Sequence, residues 1–382
     1  MKKLLIIHNR YREEGGEDLS VQNEIELLKS KYLVETIFFD NHIEKRIRQT
    51  FFFLLNKNYD SAKKVKKYIE DFRPDIVYVH NTWFKASPSI FKVLKKSNVK
   101  TVIKFHNFRY SCTQSYFSKK HLKNNKICSA CGMKNKDISI FNKYFPESYL
   151  KSLFVIRYSK KYLKILKSEN FQILVLTKFH KEYLGNFGIQ DNRVHVFPNF
   201  LKISNKRKEF KESNYIVYAG RISEEKGLNE LIESFLKINV NMILKIIGEG
   251  PYLQTLKSRY PHKSIEFLGQ IKNEKVHDVI KYSKAVITAT KLYEGQPTLL
   301  CEASLHGVPS IFPNTGGISE FFPKDYDFSF EQFNYKDLED KIQLLSKGES
   351  IEDIGSKNES YLKDFLNKKK LLQKFDYIID EW

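Results

Sequence analysis

The chain has no run of about 18 apolar residues, which excludes a bilayer-spanning helix in this sequence. Its opening, Met1-Lys-Lys-Leu-Leu-Ile-Ile-His8, offers only a short apolar stretch, below the ~7–15 residues of a secretory signal core. It reads as a first strand. Cysteine is scarce, with 4 in 382 residues, and so few in so long a chain fit a reducing compartment. No repeat of about 20–50 residues is present, nor any low-complexity tract. No complete GxGxxG follows a strand, so the dinucleotide fingerprint is missing. Acidic residues are scarce in one half only. Residues 1–200 hold 18 Asp+Glu against 38 Lys+Arg, whereas residues 201–382 hold 27 of each. A general compositional bias does not produce that split.

What is present points to two domains. The chain is too long for one compact core, and its 41% hydrophobic content is ample for burial. Short apolar strands alternate with helical patterns twice over. Lys3–Ile7, Val34–Phe39, Asp75–His80, Val99–Phe105 and Gln172–Thr177 form the first series. Tyr215–Gly220, Met242–Ile247, Ile265–Leu268, Ala285–Thr288 and Ser310–Phe312 form the second. Such strands mean parallel sheets covered on both faces. The expected fold is α/β: two doubly wound, Rossmann-like domains facing across a cleft, residues 1–200 and 201–359, with 201–214 as a polar linker. A last helix, Ser360 to Trp382, is expected to pack back on the first domain.

Two clusters carry the excess positive charge. One spans 41–73, with Lys45, Arg46, Arg48, Lys57, Lys63, Lys64, Lys66 and Lys67 around Phe51-Phe-Phe-Leu-Leu. The other spans 149–167, where Leu150, Leu153, Phe154, Ile156, Leu163 and Leu166 interleave with Lys151, Arg157, Lys160, Lys161, Lys164 and Lys167. Basic amphipathic helices suit an anionic membrane surface. A solvated basic face and a nucleic-acid surface are the competing readings.

The motifs fall at strand ends, where open α/β sheets bind ligands. Gly15-Gly16-Glu17-Asp18 enters a helix after the first strand. His106-Asn107-Phe108-Arg109 follows the fourth. Gly220-Arg221 and Lys226-Gly227 flank a turn suited to clamping a pyrophosphate. Ile247-Gly248-Glu249-Gly250-Pro251 makes another tight strand-to-helix turn. Most informative is Leu292-Tyr-Glu294-Gly295-Gln296-Pro297-Thr298-Leu299-Leu-Cys-Glu302. Its loop aims backbone N–H groups and the Glu294 carboxylate at a common point, with Glu302 one turn deeper on the following helix. A phosphate-bearing, polyhydroxylated ligand suits that layout; so does a capped helix with acids at its positive end.

In this order the motifs resemble those of the GT-B glycosyltransferases of family 4. Glu294 through Glu302 looks like that family's E-x7-E element, and Thr315-Gly316-Gly317-Ile318-Ser319-Glu320 continues the pattern. The resemblance implies retaining transfer of a sugar from a UDP- or GDP-linked donor, with no metal ion and no other cofactor. It implies that Arg221 and Lys226 stabilise the departing diphosphate, and that Glu302 takes the ribose hydroxyls. Glu294 would sit by the donor sugar, with Gly295, Pro297 and the N–H groups of Gln296, Thr298 and Leu299 around it. His106 would lie over the sugar, Gly16 would admit the phosphates, and Gly248 and Gly250 would lie near the base. The acceptor is expected to be a glycan or polyprenyl-linked molecule in cell-surface polysaccharide synthesis. The protein is expected in the cytoplasm, peripheral at the inner face of the membrane, with no nucleic-acid partner. The rivals are a GT-B nucleotide-sugar 2-epimerase or phosphorylase, and a basic nucleic-acid-binding protein.

Asp325-Tyr326-Asp327 spells the acidic motif of metal-dependent transferases but lacks a preceding apolar strand. Glu294 and Glu302 share one loop–helix segment, which does not place them on opposite faces of a sugar for hydrolysis. Cys112, Cys128 and Cys131, with His121 as a fourth ligand, leave structural zinc open against free or redox-labile thiols.

Overall fold

The computed structural model describes residues 1–11, 15–41, 52, 55–113, 121–122, 125–134, 144–145, 148–202, 213–348 and 351–381. Lys45, Arg46, Arg48, much of the Phe51-Phe-Phe-Leu-Leu run and most of the 201–214 linker lie outside these residues. The chain divides into two compact units: Met1–Leu201 with Leu366–Trp382, and Lys202–Phe365.

The first unit is built on strands β1 (Lys3–Arg10), β2 (Leu33–Asp40), β3 (Ile76–Val79), β4 (Lys100–Lys104), β5 (Gln172–Val175) and β6 (Val194–Val196). They lie in the order β2-β1-β3-β4-β5-β6, and every pairing is parallel. Alternation along β1 sorts its side chains between two buried layers. Leu5 and Ile7 join Val77, Ile103, Phe91 and Tyr158 on one face. Leu4 and Ile6 join Val21, Leu28, Tyr78 and Phe375 on the other. Both faces of β1, β3 and β5 are covered, which is why they read as apolar runs, whereas the edge strand β2 alternates between buried and more exposed positions.

The second unit carries β7 (Tyr215–Ala219), β8 (Ile243–Ile247), β9 (Ile265–Gly269), β10 (Ala285–Ile287), β11 (Ser310–Asn314) and β12 (Ser329–Glu331). Their order, β12-β11-β10-β7-β8-β9, is that of a dinucleotide-type doubly wound sheet, with its direction of winding reversing between β7 and β10. The edge strands β6 and β12 escape sequence reading because their three residues, Val-His-Val and Ser-Phe-Glu, carry no continuous apolar run, unlike the equally short Ala-Val-Ile of β10.

The C-terminal segment is two helices, not one from Ser360. Helix Ile351–Phe365 packs in the second unit, and helix Lys368–Asp380 in the first. The break is chemical: the Asn367 side chain accepts hydrogen bonds from the N–H groups of Lys369 and Lys370 and starts a new helix. Phe375 of that helix is fully buried against Tyr32, Tyr78 and Phe197.

Helix Tyr149–Ser168, capped by Ser148, also differs from expectation. Phe154, Ile156, Leu163 and Leu166 face the core and are buried. Only Tyr149, Leu150 and Leu153 remain as exposed apolar side chains, beside exposed Lys151, Arg157, Lys160, Lys164 and Lys167. Most of the stripe read as a membrane face is therefore packing. Among the described residues no helix is long and apolar enough to cross a membrane.

Candidate active site

In the second unit, the sequence motifs converge on the carboxyl ends of the strands flanking the switch point. The turn after β7 runs from Gly220 to Gly227, where helix Leu228–Lys237 begins. Lys226 Nζ lies 2.5 Å from Glu294 Oε1, and Thr290 donates to the same oxygen from 3.3 Å. Lys226 thus pairs not with its neighbours Glu224 or Glu225 but with the first acid of the E-x7-E segment, 68 residues away. Arg221 is exposed, and among the described residues its guanidinium has no ion-pair partner. The turn therefore presents one free cation and one cation already balanced by a carboxylate.

Backbone packing explains the two glycines after β8. A Cβ on Gly248 would meet the Gly220 carbonyl oxygen at 2.0 Å, and one on Gly250 would meet that of Ile222 at 2.1 Å. The N–H of Ile222 donates to Glu249 O at 2.8 Å, zipping the two turns together. Gly248 and Gly250 are thus required to hold the Arg221 turn in place, a role the sequence reading did not assign to them. Gly316 does the same for the acid: its φ is +60°, and a Cβ there would meet Glu294 O at 2.5 Å. The Gly317 N–H donates to that same oxygen at 2.8 Å. Thr315-Gly316-Gly317 therefore pins the Glu294 loop.

Helix Thr298–Leu305 starts immediately after, with Pro297 at its N-cap and no side-chain cap. Its first N–H groups have no partner within the helix and carry the positive end of its dipole. Gly295 and Gln296 are buried ahead of it. Leu299 is half-buried. Glu302 lies one turn in, half-buried, with His277 Nε2 at 4.0 Å. Burial pushes its carboxyl up to about 7. His277 lies 3.1 Å from His306. Burial lowers the pKa of both rings, that of His306 to about 4, so both are neutral around pH 7. Asp325 and Asp327 are exposed to either side of Tyr326, whose ring packs on Phe312 and Phe322. That motif spells out a packing turn.

In the first unit, helix Gly16–Lys29 begins three residues earlier than its apolar pattern indicates. Asp18 accepts from the Gly15 N–H at 3.0 Å and pairs with His8 at 2.8 Å; both side chains are buried. Burial works to raise the Asp18 carboxyl, but the bonds from His8 and Gly15 win and leave it below its ordinary value. A Cβ on Gly16 would meet nothing within 4 Å, so the fold itself does not demand glycine there.

His106 follows β4. Its Nε2 lies 3.0 Å from His80 Nδ1, and the two rings stack at 5.3 Å. Burial and then the Lys104 charge hold His106 well below its usual pKa; burial and His106 do the same to His80. In this neutral pair one ring donates and the other accepts. Beneath them Lys104 pairs with Glu24, both fully buried, and Tyr78 donates to Glu24 at 3.0 Å. His80, Glu24 and Lys104 were missed by sequence reasoning. His80 closes a strand beside the β1–β3 switch point, a placement that topology could have flagged; Glu24 and Lys104, 80 residues apart, gave no local signal.

A separate cluster, Cys112, His121, Cys128 and Cys131, brings four metal-ligating atoms within 4.8 Å of one another.

Comparison with known proteins agrees with this layout. The model for group 1 glycosyl transferases matches residues 199–361, and that for glycosyltransferase family 4 matches 34–204. The GPI3 subunit of phosphatidylinositol N-acetylglucosaminyltransferase from Saccharomyces cerevisiae is 28% identical over 155 residues, 39% of this chain and 33% of that protein. The capsular polysaccharide biosynthesis glycosyltransferase CapM of Staphylococcus aureus is 31% identical over 180 residues, 44% of this chain and 46% of that protein. The chain thus spans a third to under half of the length of these relatives. Anabaena Alr3699/HepE, solved in complex with UDP and glucose, superposes over 100% of both chains with a TM-score of 0.70 at 14% identity, a likeness of fold. The chain belongs to the group 1 and family 4 glycosyltransferases and has their GT-B fold.

Proposed function

We propose that this protein transfers a sugar, with retention of anomeric configuration, from a nucleotide-diphosphate donor to a glycan or lipid-linked acceptor in cell-surface polysaccharide synthesis. The observation that carries the reading is the Lys226–Glu294 pair, which ties the turn that carries the exposed Arg221 to the loop before an uncapped helix N-terminus. Breaking a glycosyl phosphate bond builds negative charge on a diphosphate. Arg221, Lys226 and the N–H groups of Thr298 and Leu299 suit that charge in the transition state. Glu294, held by Gly316 and Gly317, contributes a fixed acceptor for sugar hydroxyls. Glu302 accepts from the ribose. UDP bound to the Anabaena relative is consistent with such a donor. These parts do the electrostatic work that other transferases assign to a metal ion, so the proposed reaction needs none. Incubating the protein with UDP- and GDP-sugars and a bacterial lipid extract tests it. Donor consumption that stops in Glu294→Ala is the expected result; no consumption, or equal consumption by the variant, overturns the reading.

The raised Glu302 pKa gives a pH signature. A ribose diol donates to the carboxylate, so nucleotide affinity should fall as pH drops through about 7, by up to about tenfold per unit. Without ligand the sign is opposite. The folded chain keeps a proton at Glu302 that the unfolded chain has lost, so the group's stability contribution is present below about 4.5 and lost as pH rises to about 7. Glu302→Gln should flatten both curves. Nucleotide titrations from pH 5.5 to 8 check this, and an unchanged affinity profile in the variant would remove Glu302 from the ribose role.

The acceptor side is proposed to lie at the cytoplasmic face of an anionic membrane. Support comes from the charge excess of residues 1–200 and from exposed Tyr149, Leu150 and Leu153 beside five exposed cations. Vesicle sedimentation with and without anionic lipid tests it, and equal pelleting in both counts against it.

A further inference from the structure

We infer that Cys112, His121, Cys128 and Cys131 form a structural zinc site in the segment after β4. Cys112 Sγ lies 3.4 Å from Cys128 Sγ and 3.4 Å from His121 Nε2, and His121 Nε2 lies 3.2 Å from Cys131 Sγ. A tetrahedral zinc with Zn–S ~2.3 Å and Zn–N ~2.0 Å sets its ligands about 3.5–3.8 Å apart. The observed separations approach that edge length, and all four ligand atoms fall within 4.8 Å. Disulfide pairing does not describe the cluster. The cysteines are free, and a bond of about 2.05 Å would use two sulfurs and leave the third beside the imidazole.

The backbone around the ligands is organised to hold them. Cys128-Ser-Ala-Cys131-Gly132 forms a tight turn closed by an antiparallel bridge between Ile127 and Lys134. Cys128 N–H donates to Met133 O at 2.9 Å, and Gly132 N–H to Cys128 O at 2.8 Å. Gly132 has φ +74°, which turns the chain away after the second thiol of the pair. Buried Met133 anchors this turn. Cys112 ends the short helix Arg109–Cys112, and its neighbours Ser111 and Thr113 are buried, with Thr113 bonded to Ser159 at 2.5 Å. Two anchored elements and one histidine thus present four donors to one point.

On binding, the three thiols each release a proton and the ion takes three thiolates and one neutral imidazole, a net charge of −1 within the basic unit. Four protein ligands close the coordination sphere, so the ion is a staple rather than a reaction centre. It would tie the turn at 128–131 to the residue three places after Arg109, and so to the strand end that carries His106. These four ligands do not depend on the proposed donor chemistry.

The test uses the full chain purified without chelator. About one zinc per chain is expected, falling below about a tenth in Cys128→Ser/Cys131→Ser. Cobalt exchange into the wild-type chain keeps the test independent of the variant's folding. A thiolate-to-cobalt charge-transfer band with intense tetrahedral d–d bands is the expected spectrum. The inference is overturned by wild-type zinc well below one per chain with no such band on adding cobalt. Stoichiometric zinc that persists in the double variant also overturns it, as does a disulfide found by thiol counting under non-reducing conditions.

Discussion

Arg221→Ala is expected to lower kcat/KM for sugar transfer by about 10²–10³, with the thermal midpoint almost unchanged. The two halves of that statement follow from the same fact. An exposed guanidinium with no ion-pair partner among the described residues contributes little to folding, so its loss is invisible in the unfolding curve. In the proposed diphosphate complex it would be a charge-assisted donor where negative charge develops, and there its loss would be large. Lys226→Ala should cost as much activity but behave differently in combination. Its partner Glu294 sits 2.5 Å away, so removing the lysine also releases the acid from its place. The double variant Lys226→Ala/Glu294→Ala should therefore lose less than the product of the single losses, which steady-state kinetics of the four proteins would show. Full activity in Arg221→Ala would sink the assignment of that residue to the leaving group.

Lys104→Met should destabilise the first unit by about 3–5 kcal/mol. Lys104 and Glu24 are both fully buried, and burial lowers the pKa of the lysine while raising that of the glutamate. Each charge is tolerated because the other is there, with the Tyr78 hydroxyl as a third partner. Removing one leaves an uncompensated buried group. Replacing both, as Glu24→Leu/Lys104→Met, should recover most of the loss, because an apolar pair of similar volume avoids the desolvation cost. Urea denaturation of the wild type and these two variants is the check. A loss below about 1 kcal/mol in Lys104→Met would mean that water reaches the pair.

How much of this was legible in the sequence depended on whether the signal was local. Ten of the strands showed as apolar runs, since parallel strands buried on both faces carry continuous Val, Ile and Leu. The stretch from Glu294 to Glu302 was legible because glycine and proline fix where the loop ends and the helix begins. The Lys226–Glu294 pair was not, for neither residue signals a partner 68 positions away. Gly248 and Gly250 were read toward a ligand, whereas carbonyl oxygens about 2 Å from their missing Cβ atoms give them a packing reason. Helix Tyr149–Ser168 shows the converse error. Its leucines alternate with lysines as a membrane face would, yet four of the six apolar residues singled out face the core. A helical stripe says that a face is buried, not what covers it. The cysteine pattern sat between these cases: the sequence offered Cys112 and His121 as partners of the CxxC pair but left zinc and free thiols open, and the fold brings the four ligand atoms within 4.8 Å.

Calorimetric titration of UDP and of GDP into the full chain, with no divalent cation added, tests the central claim most directly. One of the two should saturate a single site with Kd of about 1–100 μM, weakened at least about tenfold in Arg221→Ala. Binding of neither nucleotide, binding that appears only with Mg²⁺ or Mn²⁺, or unchanged affinity in the variant would contradict a metal-free diphosphate site at the end of β7.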